Sequence, residues 1–575
     1  ISERSRIMNR ETNAHFSNTP TVDIARSKFD RSFDHKTTFN AAELVPVFFD
    51  GSVMPGDTIK MDMAQVVRMM TPIAPVMDNA NIDIMFYFVP YRLIWEHLPN
   101  FFGENDTAPW KQTVQYDIPQ IEAPTGGWTK GSLADHMGYP TQIAGYKASA
   151  LPFRAYAKIV NDWYRDQNLK NPLYIHTDDN DITGVDITDA NLDPVTDIEK
   201  GACCFKAAKT HDYFTSCLPE PQKGPAVPLP IGDKAPVKYT EPTNLYASSS
   251  TFVTAYEGKE FAFATASNYA LPYNGDVGGS DVPGNNHSFA LYTDLSASVG
   301  ATVNALRQCF AVQRFYEKQA LYGTRYIEFI KGHFQVTNPD FRLQRSEYLG
   351  GTRIPINVNQ VVQTDASGEY SVYDSVQQTW VTKDRTPQGN TAAYSLTSSR
   401  DEGLFTHSFT EHGIVLGLAC VRLAAHTYQQ GLNRMWSRKT MLDFYMPEFA
   451  NLGNDAVFNK EIYLQGPTVV DSDGNVIDEQ VFGYQEKWAD YRYMPDIVTG
   501  EMRSNYSTSL DIWHWADYYT QLPQLGSDWI DEDKANFTRT LAVQNHDQFF
   551  GDFYFKCIYT RPMPLYSVPG LIDHH

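Results

Sequence analysis

Apolar and polar residues alternate in two segments near the beginning of the chain. In IKMDMA at 59–64 every second residue is apolar, and the turn sequence MPGD at 54–57 precedes it. In IDIMFYFV at 82–89 one face is apolar and the other is only partly polar. A period of two predicts half-buried β-strands, and apolar residues on both faces predict a strand that is covered on both sides.

The same alternation returns close to the other end of the chain, in FYFKCIY at 553–559. Strand patterns therefore lie near both ends of a chain of 575 residues. A β-sandwich in which early strands pair with late ones explains this arrangement. The sequence thus predicts a mainly β protein.

Helical spacing replaces the alternation in two places. Pro152 opens the first helix, whose apolar stripe runs from Phe153 to Trp163. A second helix is predicted from about 302 to 321, where apolar residues recur three and four positions apart. We interpret both stripes as core packing rather than as cofactor sites.

The segment 171–300 differs in composition from the rest of the chain. It has 17 acidic residues against seven lysines and no arginine, which gives a net charge of −10, and seven prolines crowd residues 219–242. Such a proline run forms neither a central strand nor a long helix. We therefore predict that 171–300 is an insertion projecting into solvent, while 37–170 and 301–575 carry the core.

Residues 1–36 have the opposite charge balance. Seven basic and five acidic side chains give them a net charge of +2, whereas the whole chain carries −21. We expect an extended arm without a core of its own. A protein that binds nucleic acid through its overall charge is usually basic, so any such contact is confined to a local patch. Arg4, Arg6 and Arg10 are candidates for it.

The overall composition favours a large core and wide contact surfaces, since 42% of the residues are hydrophobic and 13% are aromatic. No apolar run approaches the roughly 20 residues that span a bilayer, so we expect no membrane insertion. The six cysteines are sparse and lack the pair spacing of zinc sites. A reduced, cytoplasmic folding compartment is the expectation.

Signatures of catalysis and cofactor binding are missing from the sequence. It contains no phosphate-binding glycine loop, no Gly-x-Ser-x-Gly turn and no His-Glu-x-x-His helix. The acidic loop 178–184 resembles the start of a calcium loop, but Ala190 stands where the bidentate Glu belongs. We interpret this loop as solvated, and His407, His412 and His426 as structural. No enzyme, cofactor or metal site is predicted.

The segment NRMWSRK at 433–439 interleaves basic and aromatic residues. Stacking on Trp436 with phosphate contacts from Arg434, Arg438 and Lys439 is the chemistry of single-strand binding. Arg and Trp are also the residues that anchor contacts between proteins. The segment is therefore a candidate nucleic-acid contact, although we favour a protein interface.

Several long segments resemble the major capsid proteins of gokushoviruses, which are small icosahedral single-stranded DNA phages of the microvirus family. They are FNAAELVPVFFDGSVMPGDTIKMDMAQVVRMM at 39–70, YGTRYIEFIKGHF at 322–334, EYLGGTRIPINVNQVV at 347–362, EHGIVLGLACVRLAAHTY at 411–428 and FGYQEKWADYRYMPDIVTGEMR at 482–503. They lie on both sides of 171–300.

The resemblance implies a single eight-stranded jelly-roll β-barrel with long insertions between the strands, some of them containing helices. It implies a virion protein that assembles in the bacterial host cytoplasm, through pentamers, into a T=1 shell around circular single-stranded DNA. The implied partners are an internal scaffolding protein, a minor pilot protein, a small basic DNA-binding protein and a host surface receptor. By position, 171–300 corresponds to a protrusion near the three-fold axes that touches the host.

Two alternatives belong to other functional classes. Acidic, aromatic-rich β proteins include glycoside hydrolases, but no pair of carboxylates singles itself out here. A carbohydrate-binding jelly-roll adhesin is the second alternative. It requires export, for which we find no signal, and it remains a small oligomer. Turnover of glycans and the size of the assembly separate these alternatives from a coat protein.

Overall fold

The computed structural model of the chain describes part of the sequence. The described residues are 26–104, 114–225, 227, 237–239, 291–293, 303–321, 331–332, 344–361, 369–374, 376, 378–384 and 393–566. The chain divides into two compact units, one formed by Ile1–Pro221 with Ala320–His575 and the other by Gln222–Gln319. Arg4, Arg6 and Arg10 lie outside the described residues, as does most of 228–300.

Strands are the main regular elements of the described ranges. They are β1 Ser27–Asp30, β2 Phe33–Phe39, β3 Val45–Val53, β4 Thr58–Met69, β5 Ala80–Pro90, β6 Gln120–Glu122, β7 Lys147–Ser149, β8 Ile182–Thr183, β9 Val237–Tyr239, β10 Leu291–Thr293, β11 Glu347–Pro355, β12 Val358–Gln360, β13 Glu369–Asp374, β14 Thr379–Asp384, β15 Ala393–Ser395, β16 Thr397–Ser408, β17 Gly413–Leu423, β18 Asn454–Phe458, β19 Val481–Glu486 and β20 Phe549–Arg561.

Most helices are short and lie between the strands. The α-helices are α1 Leu98–Phe101, α2 Leu133–His136, α3 Leu151–Ile159, α4 Pro194–Asp197, α5 Val303–Leu321, α6 Asn459–Ile462 and α7 Lys534–Thr538, and a π-helical turn Val160–Tyr164 continues α3. The 3-10 turns are Tyr91–Leu93, Ile198–Lys200, Arg434–Trp436, Met441–Asp443, Pro447–Phe449, Ile477–Glu479, Ala489–Tyr491, Gly500–Met502 and Asp511–Trp513. The predicted helices at 152 and 302 are confirmed.

Eight long strands form two antiparallel sheets. Sheet 1 has the order β2-β20-β4-β16, with β1 also paired to β20, and sheet 2 has the order β11-β5-β17-β3. Counted along the chain as one to eight, the strands run one-eight-three-six and five-four-seven-two, which is the order of a jelly roll. The predicted pairing of early with late strands is confirmed, because β20 lies between β2 and β4.

The two sheets face each other as the two halves of the jelly roll. Within the described residues no backbone ladder joins sheet 1 to sheet 2, so the jelly roll is a sandwich of two sheets. Side-chain packing holds the sheets together instead. The ring of Phe48 on sheet 2 lies 5.2 Å from that of Phe555 on sheet 1 and 5.8 Å from that of Phe86.

The alternation read from the sequence corresponds to the two faces of the sandwich. In β4, Ile59, Met61 and Met63 are buried while Lys60 is exposed. Strand β5 is covered on both sides, as predicted, because its outer residue Tyr87 packs against Trp163, with 5.6 Å between the rings.

The aromatic stripe of α3 packs in the core, which confirms that interpretation. Phe153, Tyr156 and Val160 are fully buried. The Tyr156 hydroxyl donates to the Leu44 carbonyl at 2.6 Å and accepts from the Phe205 amide at 2.9 Å. The helix thus fastens two other segments of the chain.

The structure places the edges of the predicted arm and insertion differently. Residues 27–30 and 33–36 of the arm are strands paired with β20. The beginning of the 171–300 segment packs on the sandwich, where Ile198 and Phe205 are buried and the Leu44 amide donates to the Phe205 carbonyl at 2.9 Å. These buried residues follow no regular period, because turns rather than strands or helices carry them.

The second unit is described in pieces. Strands β9 and β10 form an antiparallel pair. On α5, the side-chain amide of Gln313 donates to Gln222 and, at 2.9 Å, to Glu317. Across the described part of both units, no helix is long and apolar enough to cross a membrane.

Candidate assembly surface

The segment singled out by its basic and aromatic residues forms two tight turns. Asn433 caps the first, because its side-chain oxygen accepts from the Met435 amide at 3.0 Å. Asp443 closes the second, accepting from the Thr440 amide at 2.6 Å and the Lys439 amide at 2.8 Å. Capping of this kind satisfies backbone donors at a helix start and fixes the course of the loop.

Arg434 is engaged within its own chain. Its guanidinium pairs with Asp455, donates to the Ala456 carbonyl at 3.1 Å and lies 3.6 Å from Glu461. Burial disfavours the charge, but the Glu461 and Asp455 carboxylates outweigh burial and raise the Arg434 pKa. Contact with a phosphate would therefore require breaking a partly buried ion pair.

Arg438 is held in a similar way. It pairs with Asp490, and its guanidinium carbon lies 4.2 Å from the ring centroid of Tyr491 and 5.6 Å from that of Phe444. Planar guanidinium groups stack well on aromatic rings. Arg438 thus joins the two loops that contain these aromatic residues.

Trp436 and Lys439 are the exposed members of the predicted set. The Trp436 side chain is 73% exposed, and Lys439 also faces solvent. Of the four candidate contacts in this segment, the two arginines therefore hold the loop while the other two are available to a partner.

Trp436 belongs to a larger exposed apolar area, which we call the assembly surface and define as residues 436–452 and 491–497. Its large exposed hydrophobic side chains are Trp436, Met441, Leu442, Phe444, Tyr445, Leu452, Tyr491, Met494 and Ile497. The rings of Tyr445 and Tyr491 adjoin within it, 6.2 Å apart. Interfaces between proteins are anchored by a few such aromatic side chains, whose burial carries most of the binding energy.

Buried contacts support this surface from below. The Trp488 indole N–H donates to the Phe449 carbonyl at 2.9 Å, and its ring lies 5.7 Å from that of Tyr445. The Tyr445 amide donates to the Tyr491 hydroxyl at 3.2 Å. The exposed side chains thus stand on an ordered loop, which lowers the entropy lost when a partner binds.

A buried charged network, which the sequence did not reveal, holds the insertion between β17 and β20. Asp517 accepts from the Lys209 ammonium at 3.1 Å and lies 3.5 Å from His426 Nδ1, while His426 Nε2 lies 3.2 Å from Glu532. Burial disfavours charge on His426, but the Glu532 and Asp517 carboxylates raise its pKa to about 10. These residues are too far apart in sequence to form a motif.

The acidic loop resembling a calcium site is occupied by protein donors. Asp179 accepts from the Trp95 indole at 2.6 Å and lies 2.8 Å from His97 Nδ1. Asp181 accepts from the Lys147 ammonium at 2.9 Å. Across the part of the chain that the structure describes, no group of three or more His, Cys, Asp or Glu residues could hold a metal ion.

The three histidines near β17 lie in separate environments. His407 is 3.5 Å from Glu347, the ring of His412 stacks on Phe102, and His426 is buried in the charged network. None of the six cysteines, all of which lie in described ranges, forms a disulfide.

Comparisons with known proteins give one consistent result. A family profile described as capsid protein (F protein) matches residues 17–571. The chain is 40% identical to capsid protein VP1 of Bdellovibrio phage phiMH2K, over 98% of each chain. It is 38% identical to capsid protein VP1 of Chlamydia phage 1, over 97% of each, and 41% identical to that of Spiroplasma virus 4, over 95% of this chain and 96% of the relative.

Proposed function

Because the chain belongs to the phage capsid protein (F protein) family, and is a structural capsid protein that assembles into a shell, we propose that its subunits bind one another through the assembly surface. The single observation that carries this proposal is a wide apolar area held on an ordered loop. A family of structural proteins gives no support to the adhesin or the glycoside hydrolase.

Contact with water is unfavourable for exposed apolar side chains. When a partner covers side chains such as Trp436 and Met441, the free energy of the system falls. In a shell the partner is another copy of the same chain, and contacts repeat by symmetry. Trp and Tyr at such positions are the residue types that dominate interface energies.

The finer features of the particle are part of the same proposal. We propose pentamers that close into a T=1 icosahedral shell around circular single-stranded DNA, in the host cytoplasm. An internal scaffolding protein, a minor pilot protein and a small basic DNA-binding protein would act with it, the last because a chain of charge −21 neutralises few phosphates itself. The insertion 171–300 is proposed to supply the three-fold protrusion that touches a host surface receptor.

The candidate DNA contacts now have different proposed roles. Arg4, Arg6 and Arg10 remain proposed contacts of the arm. In the 433–439 segment, we propose that Arg434 and Arg438 position the loop, while Trp436 and Lys439 make contact with a neighbouring subunit. Their contact with DNA is the alternative outcome of the experiment below.

The test is sedimentation velocity and negative-stain electron microscopy of purified chain, with Met441→Ser as the variant. Met77→Ser is the matched control, because Met77 is 74% exposed and Met441 68% exposed. We expect closed particles from the wild-type chain and the control, and a shift toward free subunits or pentamers in Met441→Ser. The midpoint of thermal unfolding of the unassembled chain should be the same for all three.

Two results would contradict the proposal. If the wild-type chain remains a monomer or dimer in all assembly conditions, with and without a scaffolding protein, shell assembly itself fails. If Met441→Ser assembles as well as the control, the shell stands but the assembly surface is not its interface. Loss of packaged DNA from otherwise normal particles of Trp436→Ser and Lys439→Ala would assign the segment to DNA instead.

A further inference from the structure

The outward face of sheet 1, which we call the sheet face, carries a second unusual surface. Strand pairing sets its side chains in rows across β2, β20 and β4. One row is Thr38, Phe550 and Arg68, and the next is Lys36, Asp552 and Val66. These side chains point away from the core, because the residues between them in each strand are the less exposed ones.

An open pocket of about 690 Å³ lies on these rows. The loop at 130–131 and helix α2 form its other wall, with Lys130 at the rim. Pockets of about 300–1,000 Å³ are the size that binds small ligands or single groups of larger ones. The pocket therefore has room for a nucleotide-sized group.

The charged side chains around the pocket differ in whether another residue engages them. Each of its carboxylates has a partner: Asp135 accepts from the Gly131 amide at 2.9 Å, Asp547 from the Thr38 hydroxyl, and Asp552 pairs with Lys36 at 3.2 Å. By contrast, Arg68 and Lys130 are exposed, and neither forms an ion pair with any described residue. In a lining of three basic and three acidic side chains, Arg68 and Lys130 are thus the two cations that no described carboxylate engages.

Two exposed aromatic rings lie on β20. Phe550 lies directly opposite Arg68 in the ladder and is 39% exposed. Four residues along the same strand, Tyr554 is also exposed, and its ladder neighbours are the small Ala64 on β4 and Asp34 on β2. At about 3.3 Å per residue, the two rings are about 13 Å apart along the strand.

We propose that the sheet face binds single-stranded nucleic acid, with phosphates on Arg68 and Lys130 and unpaired bases on Phe550 and Tyr554. Stacking platforms beside a cationic groove are the features by which proteins hold single strands without reading sequence. An acidic protein segment would use the cations but would gain nothing from the flat rings. The inference rests on the proposed function, in which the shell encloses single-stranded DNA, and assigns that partner a site.

The charge of the sheet face supports this occupant. The outward residues of sheet 1 include six basic side chains and five acidic ones, whereas the chain as a whole has 47 basic and 68 acidic residues. The basic ones are Lys28, Lys36, Lys60, Arg68, Arg400 and Lys556, and the acidic ones are Asp30, Asp34, Asp62, Asp552 and Glu402. This nearly neutral face therefore repels a polyanion less than the average composition of the chain would.

The test is fluorescence anisotropy of a labelled oligothymidylate with the full, unassembled chain at several salt concentrations. Arg68→Ala with Lys130→Ala should weaken binding and reduce the slope of log affinity against log salt by about 0.7 for each cation removed. Phe550→Ala with Tyr554→Ala should weaken binding roughly 5- to 150-fold for each stacked base and leave the salt slope unchanged.

The controls separate this site from general charge and from the 433–439 segment. Lys534→Ala removes an exposed lysine elsewhere, and Trp436→Ser with Lys439→Ala removes the rival contact. Both variants should bind the oligonucleotide like the wild-type chain. Equal thermal unfolding midpoints show that the variants fold.

Binding that is unaffected in both sheet-face variants, or lowered equally in the controls, would overturn the inference. A loss of binding when the cations are removed, without a loss when the rings are removed, would also overturn it, because any polyanion would then fit. Particle formation by the same variants tests the proposed function separately. If the variants assemble into particles and bind the oligonucleotide as tightly as the wild-type chain does, only the inference fails.

Discussion

At the scale of single residues, sequence spacing identified chemistry but not partners. Arg434 and Arg438 have the residue types of a strand-binding segment, yet Asp455 and Asp490 engage them from 21 and 52 residues away. The sequence does not indicate that Arg68 and Phe550 are neighbours, because the pairing of β4 with β20 brings them together across most of the chain. Local patterns carry no information about such distant neighbours.

Gly417 shows how closely the sandwich is packed. A Cβ atom there would lie 2.7 Å from the Phe86 ring and 2.8 Å from the Phe48 Cβ. We expect Gly417→Ala to destabilise the unassembled chain by about 1–3 kcal/mol through overpacking, measured as a lower midpoint of thermal unfolding. Gly526→Ala is the control, because its Cβ would contact only the Gln524 carbonyl at 3.9 Å. Equal midpoints would contradict the packing described for the core.

His426 makes stability depend on pH at the alkaline side. Its pKa is about 10 in the folded chain, above the usual 6.5, because Glu532 and Asp517 outweigh burial. A raised folded pKa means that its contribution is fully present below pH 6.5 and is lost as the pH rises toward 10. Lys209 also pairs with Asp517, at 3.1 Å.

We therefore expect the thermal midpoint of the wild-type chain to fall between pH 7 and pH 10, and that of His426→Ala to change less. The substitution should also lower stability at pH 7 by about 3–5 kcal/mol, since it leaves buried carboxylates without their cation. His412→Ala, which alters a stacked histidine outside the network, serves as the control. A pH profile of His426→Ala that parallels the wild type would show that another group is responsible.

At the scale of elements, strands with strict alternation were predictable and irregular segments were not. β4 and β20 follow a period of two, so their buried faces could be read directly, and the apolar residues on both faces of β5 indicated a strand covered on both sides. The segment around Ile198 and Phe205 is buried by tertiary contacts that include Leu44 and Tyr156 of α3, and its acidic composition suggested solvent exposure instead. Composition indicates how readily a segment tolerates solvent, whereas the burial of a turn depends on which residues of other segments pack against it.

The loop 440–452 offers an element-level prediction through Trp488. Trp488→Ala removes the hydrogen bond to Phe449 and the ring contacts with Tyr445 and Tyr491. We expect faster limited proteolysis within 440–452 and slower assembly, because local opening becomes easier while the sandwich is untouched. Trp488→Phe keeps a ring but loses the hydrogen-bond donor, so its rates of proteolysis and assembly should lie between those of the wild-type chain and Trp488→Ala. Unchanged cleavage in Trp488→Ala would mean that other contacts order the loop.

At the scale of the whole molecule, the two-sheet jelly roll and the long insertion between β17 and β20 have different roles in a shell subunit. The sandwich supplies a rigid body with aromatic rings at its centre. The insertion carries the assembly surface, and the buried network around Asp517 ties it to the end of β17. Family resemblance in sequence predicted the fold class, while the location of this surface required the folded chain.

Shell assembly through this surface is tested most directly by a cryo-electron microscopy reconstruction of particles assembled from the purified chain. We expect a closed shell of identical jelly-roll subunits in which Trp436 and Met441 are covered by a neighbouring copy. Particles in which residues 436–452 and 491–497 face solvent on every subunit would contradict the assembly surface. Failure to obtain any closed particle under all conditions would contradict the assembly of this chain into a shell.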